Sequence, residues 1–121
     1  MKLNESFECT IVERELYEMA RVQPANSGLP CILFVSTKTY VKGRHGPRIK
    51  VSNIPGTYSD FDNFVVTIAK PPLVVAGDVK FKKSVVDDII DWVALNYDSL
   101  LKYWEDKYEN DADFYAELKK I

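Results

Sequence analysis

The feature that most restricts this chain is an apolar run repeating every three or four positions: Val86, Ile89, Ile90, Val93, Tyr97, Leu100, Leu101, Trp104 and Tyr108. At 3.6 residues per turn these side chains form one stripe along a helix spanning about 84 to 107, with the polar residues between them facing water. So long a stripe must be buried, and in 121 residues its partner layer has to come from the same small domain. Ser84-Val85-Val86-Asp87 fits a capping box at its start. Asn96-Tyr97-Asp98 is where the helix can kink, with Asp98 recapping a second segment. Trp92 lies off the stripe with Val85, Asn96 and Tyr103, so it either packs at the helix flank or offers a surface to a protein partner.

The partner layer reads as strands. Cys31-Ile32-Leu33-Phe34-Val35 is a continuous apolar run between Pro30 and Ser36-Thr37, as expected of a strand buried on both faces. Arg48-Ile49-Lys50-Val51-Ser52 alternates, which points Ile49 and Val51 inward and Arg48, Lys50 and Ser52 outward. Phe64 to Ile68 forms a third strand, ended by Pro71-Pro72. Leu73–Ala76 and Val79–Phe81 read as two short strands around Gly77-Asp78, or as one bulged edge strand. Near the start, Thr10-Ile11-Val12-Glu13 is another capping box, and Val12, Leu16, Met19 and Ala20 predict a helix over about 10 to 22. Phe7 to Ile11 competes with it by alternating as a strand does. Pro24, Asn26, Ser27, Gly28 and Pro30 mark a break. Phe114, Leu118 and Ile121 predict a short terminal helix with Lys119 and Lys120 in its last turn. The expected fold is α+β, a single domain over residues 1–121. It has an antiparallel sheet of three to five strands, with the N-terminal helix and the long C-terminal amphipathic helix on one face. That order is similar to double-stranded-RNA-binding and small toxin folds, a likeness that carries no function by itself.

Charge is segregated along the chain. No acid stands between Glu18 and Asp60, a window holding Arg21, Lys38, Lys42, Arg44, Arg48 and Lys50 in a protein of net charge −2. The flanking stretches are acidic, so the middle is the part that would meet anions. Five of those cations crowd residues 38–50 around Gly43, Gly46 and Pro47, a turn-forming set. A hairpin built this way neutralises several phosphates together, and Tyr40 adds a ring for stacking. Lys38, Tyr40, Lys42, Arg44, His45, Arg48 and Lys50 are therefore the candidate ligand-binding residues. Nucleic acid is the first ligand to consider, and another phosphate-rich anion the second. The competing reading is a solvated turn whose cations pair with Asp60 or Asp62.

Two other function classes stay open. His45, the only histidine, titrates near neutrality and is the catalytic candidate of a small ribonuclease in which Arg44 and Arg48 would stabilise a phosphoryl transition state. The sequence names no acid or base to work with it. Alternatively the chain is an interaction module, inhibitor-like or antitoxin-like, or a homodimer, using Trp92 and Tyr103 on its helices.

Several classes are disfavoured. Gly-x-Ser-x-Gly, Walker A, Gly-x-Gly-x-x-Gly and His-Glu-x-x-His patterns are absent. Asp87, Asp88, Asp91 and Asp98 share one helix, whereas Mg²⁺ needs carboxylates converging from different elements. Cys9 and Cys31 form no metal-ligand or disulfide pattern and read as small buried apolar residues. No metal or cofactor is expected. No run has the length of a signal peptide or a membrane span, so a cytoplasmic location is predicted.

Arg44-His45-Gly46-Pro47-Arg48-Ile49-Lys50, taken with Asp91-Trp92 and Leu100-Leu101-Lys102-Tyr103-Trp104, resembles a small uncharacterised bacterial or phage domain. Its members join a His-x-Pro-Pro-His-x-His hairpin to a helix ending in Leu-Leu-x-x-Trp. The likeness covers residues 31–51 and 84–105 and implies a bacterial or phage origin. Arg48 and Lys50 stand where that family has its later histidines, so no histidine or metal chemistry is carried over.

Overall fold

The structure, a computed structural model, describes residues 19–42, 44–56 and 62–121. Among these, five strands form one antiparallel sheet: β1 (Met19–Val22), β2 (Leu33–Ser36), β3 (Arg48–Ser52), β4 (Asn63–Thr67) and β5 (Val74–Gly77), each hydrogen-bonded to the next in sequence. The pairing register lines up two rows of buried side chains across the sheet, Ala20–Val35–Ile49–Val66 and Val22–Leu33–Val51–Phe64. Because alternate side chains leave opposite faces of a strand, these rows make one apolar surface. It packs in a single cluster with Ile89, Trp92, Val93, Leu100, Tyr103 and Phe114.

Residues 19–22 belong to this sheet and not to a first helix. Met19 and Ala20 sit at helical spacing from Val12 and Leu16, but Ala20 and Val22 are fully buried opposite Val35 and Leu33. Ladder bonds plus burial outweigh a weak local preference. The remainder of that predicted helix, its Thr10 capping box and the competing strand at Phe7–Ile11 lie outside the described residues, as does Cys9. Cys31 is a free, buried thiol whose pKa burial pushes up to about 11.

Three further differences are local. The break after β1 holds a single helical turn, α1 (Pro24–Ser27), closed by Gly28 at φ 78°. No tight hairpin joins β2 to β3, because α2 (Lys38–Val41) occupies the connection. Ser52, expected outward, is fully buried, and its hydroxyl is tied to the Ile54 backbone at 3.2–3.3 Å. Of the two readings for residues 73–81, one bulged edge strand is found: β5 pairs with β4 through an irregularity at Val65/Val66.

The long stripe is split into α3 (Lys83–Leu95) and α4 (Tyr97–Trp104), which meet at Asn96. The Ser84 capping box is not formed, because the helix already starts at Lys83, with Lys82 at the cap and no side-chain bond there. A polar loop leads to α5 (Asp111–Glu117), where Asn110 Oδ1 accepts the Asp113 N–H at 3.0 Å. Lys119 and Lys120 lie beyond α5 and not in its last turn. The Lys119 backbone is instead held by the Asn96 carboxamide: Nδ2 donates to the Lys119 carbonyl (3.0 Å) and Oδ1 accepts the Lys119 N–H (2.7 Å).

That Asn96 side chain also donates to the Trp92 carbonyl at 3.0 Å and is almost fully buried. Replacing Asn96 by Ala removes three hydrogen bonds and strands the Lys119 N–H. The expected loss is about 2–4 kcal/mol, by roughly 1 kcal/mol per bond plus the orphaned donor, read as a lowered urea midpoint. An unchanged midpoint would show that the kink and the C-terminal tie do not depend on this carboxamide.

Candidate functional site

The basic segment is shaped by how α2 is held. Val41 is buried, and the helical turn closes through the Val41 N–H to Thr37 carbonyl bond (3.2 Å) and the Lys42 N–H to Lys38 carbonyl bond (3.0 Å). Lys42 then takes a φ of 54°, the left-handed conformation that stops a helix. Two side chains of α2 reach the C-terminal end of α4. Lys38 Nζ lies 2.8 Å from Glu105 Oε2, and Thr39 Oγ1 donates to Asp106 Oδ2 at 2.9 Å. The Lys38 hydrogen bond holds the Glu105 carboxyl below the ordinary glutamate value.

The other candidate residues fall into two groups. Lys42 and Arg44 are exposed on the connection, and Arg44 is oriented by its own loop, since both its backbone N–H (3.1 Å) and its Nε (2.9 Å) donate to the Val41 carbonyl. His45 is half-buried beside them. Its ring centroid is 5.7 Å from that of Trp104, and Nδ1 is 2.8 Å from the Gly46 carbonyl. A carbonyl only accepts, so Nδ1 carries a hydrogen there and Nε2 is the acceptor of the neutral ring. Among the described residues no carboxylate or second base contacts this ring, and the ribonuclease reading gains no partner.

Arg48 and Lys50 make the second group, on the sheet face turned away from the helices. Lys50 stands in the row Arg21–Phe34–Lys50–Val65, and Arg48 is opposite Thr67. Both are half-buried, and the Arg48 Nε is enclosed without a hydrogen-bond partner. The ion pairs among the described residues are Lys38–Glu105, Lys80–Asp62, Lys83–Asp87 and Lys102–Glu117. Lys42, Arg44, Arg48 and Lys50 take part in none of them. Asp62, weighed from the sequence as a partner for these cations, is held by Lys80 at 2.9 Å, and the same contact lowers its pKa. Asp60 and the side chain of Tyr40 lie outside the described residues.

The two helix aromatics read as partner contacts are in the interior. Trp92 is fully buried and Tyr103 is 5 % exposed. The flank carrying Trp92, Asn96 and Tyr103 is covered by the C-terminal segment, through the Asn96–Lys119 bonds and a tilted contact of the Tyr103 and Phe114 rings at 4.6 Å between centroids. Trp92 therefore presents no surface, and Tyr103 shows only its small exposed part, in the wall of a cleft.

Sequence reasoning missed a cleft of about 300 Å³ beside α2, lined by Thr37, Thr39, Tyr103, Asp106, Tyr108 and Asp111 among others. The polar run Glu109-Asn110-Asp111 between two helices was its only signal. Its wall includes the carboxylates of Asp106, Glu109 and Asp111. Among the described residues no group of three His, Cys, Asp or Glu side chains is arranged to hold a metal, and no helix is long and apolar enough to cross a membrane.

Comparison of the chain with protein-family models, with curated proteins and with solved structures gives no match. The likeness of Arg44–Lys50, Asp91-Trp92 and Leu100–Trp104 to a bacterial or phage domain rests on those residues alone.

The Lys38–Glu105 pair has a pH signature. A carboxyl whose folded pKa is depressed contributes stability above its unfolded value, and that contribution is lost as pH falls through the folded value. Lys38→Met should therefore unfold at slightly lower urea than the parent at neutral pH. The difference should vanish once Glu105 is protonated in both states, and a difference that persists in strong acid would show that the lysine acts through packing instead.

Proposed function

We propose that this is a non-enzymatic binding protein that engages nucleic acid through the segment Lys42–Lys50. One observation carries the reading: Lys42, Arg44, Arg48 and Lys50 lie within nine residues, with no acid among them and with none of them in an ion pair among the described residues. Cations left unpaired keep their counterions until a polyanion displaces them, and release of those counterions drives association. The oriented Arg44 supports the reading further, because its terminal amino groups remain available after Nε is taken by Val41. Lys38, which began as a member of the set, is assigned to holding α2 against α4.

Fluorescence-polarisation titrations of a labelled duplex and a labelled single strand, repeated over a range of salt, test this. Arg44→Ala/Arg48→Ala should weaken binding at low salt and flatten the log K against log salt slope by about two for duplex DNA. Lys38→Ala should leave that slope within experimental error of the parent. Binding by the double variant equal to the parent at low salt would refute the assignment.

A further inference from the structure

Of the side chains between Lys42 and Lys50, His45 alone is of a type that changes charge near neutral pH. Imidazole gains its proton between about pH 8 and pH 5, a range in which lysine and arginine stay charged. The loop fixes where this ring sits. Arg44 is tied to the Val41 carbonyl through its N–H (3.1 Å) and its Nε (2.9 Å), and the Pro47 carbonyl accepts the Ile68 N–H at 3.0 Å, just past β4. Between these two anchors the His45 ring lies 5.7 Å, centroid to centroid, from Trp104 at the end of α4, tilted by 31°. Gly46, next in the chain, is exposed, and a β-carbon there would meet nothing within 4 Å beyond its chain neighbours. The backbone beside the ring is therefore open to a ligand.

The ring can be charged without disturbing its contacts. Nδ1, 2.8 Å from the Gly46 carbonyl, donates in the neutral ring and goes on donating in the charged one. Nε2, which takes the new hydrogen, has no hydrogen-bond partner to give up among the described residues. Trp104 lies within the distance, about 6 Å, over which an aromatic ring attracts a cation. The neighbouring charges leave the added one unneutralised. Lys42 and Arg44 precede the ring and Arg48 follows it, none of them in an ion pair among the described residues. After Trp104 come Glu105 and Asp106, engaged by Lys38 and Thr39 of α2. The Lys38 contact holds the Glu105 carboxyl below the ordinary glutamate value, so it stays ionised through this range. Thr67 and Ile68, at the end of β4, carry no charge.

We propose, resting on the nucleic-acid reading, that His45 makes this segment responsive to protons: once protonated it adds a cation between Arg44 and Arg48 in the chain, and nucleic acid is held more tightly as the pH falls below neutral. The protonated protein is the better partner of a polyanion, so binding takes up a proton and weakens as pH rises.

Fluorescence-polarisation titrations of a labelled DNA duplex at about pH 8.5, 7 and 5.5 test this, since phosphodiesters keep their charge over that range. From the highest pH to the lowest the parent should bind about five-fold or more tighter at low salt, and its log K against log salt slope should steepen by about 0.9, the share of one added phosphate contact. His45→Gln should show neither change. His45→Arg, charged at every pH, should have at the highest pH the steeper slope that the parent reaches only in acid. His45 is the only histidine, so its ring-proton resonance can be followed directly, and bound duplex should move its titration midpoint to higher pH. Parent binding that ignores pH would overturn the proposal and leave the nucleic-acid reading standing, as would a pH dependence that persists in His45→Gln. Absence of binding at every pH would refute that reading and the proposal with it.

Discussion

The architecture turns on one buried carboxamide. A single straight helix over 83–104 would carry its apolar stripe past the edge of a sheet whose strands have only four or five residues. Asn96 breaks it where the Trp92 carbonyl accepts from both the Asn96 backbone N–H and its Nδ2. Asparagine suits this place because its side chain offers donors and an acceptor at once, and a buried polar group must have them all answered. The remaining donor and the oxygen take the backbone of Lys119. Beyond it, the Ile121 N–H reaches the Ser27 carbonyl at 2.9 Å, against Gly28, where a β-carbon would stand 2.6 Å from the Ile121 carbonyl oxygen. The kink, the chain end and the α1 turn are thus one connected construction.

A second asparagine plays the same part at the opposite side of the sheet. Asn53, just after β3, donates through Nδ2 to Asp62 Oδ1 (2.9 Å) and to the Asp78 carbonyl (2.8 Å), and accepts the Lys80 N–H at 3.2 Å. Lys80 closes the circuit on Asp62. The chain that leaves β5 is thereby fastened to the start of β4 before it enters α3. This is why residues 79–81 run as a connector and form no second edge strand: Lys80 has already given its backbone donor to a side chain.

What the sequence made legible follows from where the controlling interactions lie. Strands β2, β3 and β4 announce themselves through patterns local to each, continuous apolar runs in β2 and β4 and a two-residue alternation at the start of β3. The kink at Asn96 was visible for a similar reason, a polar residue interrupting an apolar stripe. β1 was not, since Met19 to Val22 satisfy helical and strand spacing alike and only the distant Leu33 and Val35 decide between them. The interior position of Trp92 and Tyr103 was hidden likewise. Their flank is apolar because the chain end returns over it, and nothing within 84–107 records that return. Of the candidate site, the cations themselves could be read, but not their division, because the carboxylate that takes Lys38 lies 67 residues away.

That division gives the acidic C-terminal part a role beyond solubility. A basic stretch in a chain of net charge −2 is useful to an anion only if the surplus acids stay away from it. Here two of them, Glu105 and Asp106, come close, and each is engaged at the base of α2, one by Lys38 and the other by Thr39. Their charge is engaged at the first turn of the segment, and the left-handed Lys42 ends the helix one turn later. The contacts that occupy Lys38 also fix the start of the connection that carries Lys42, Arg44 and His45. The acids held at α2 thus leave Lys42, Arg44, Arg48 and Lys50 outside every ion pair among the described residues, which is the premise of the proposed reading.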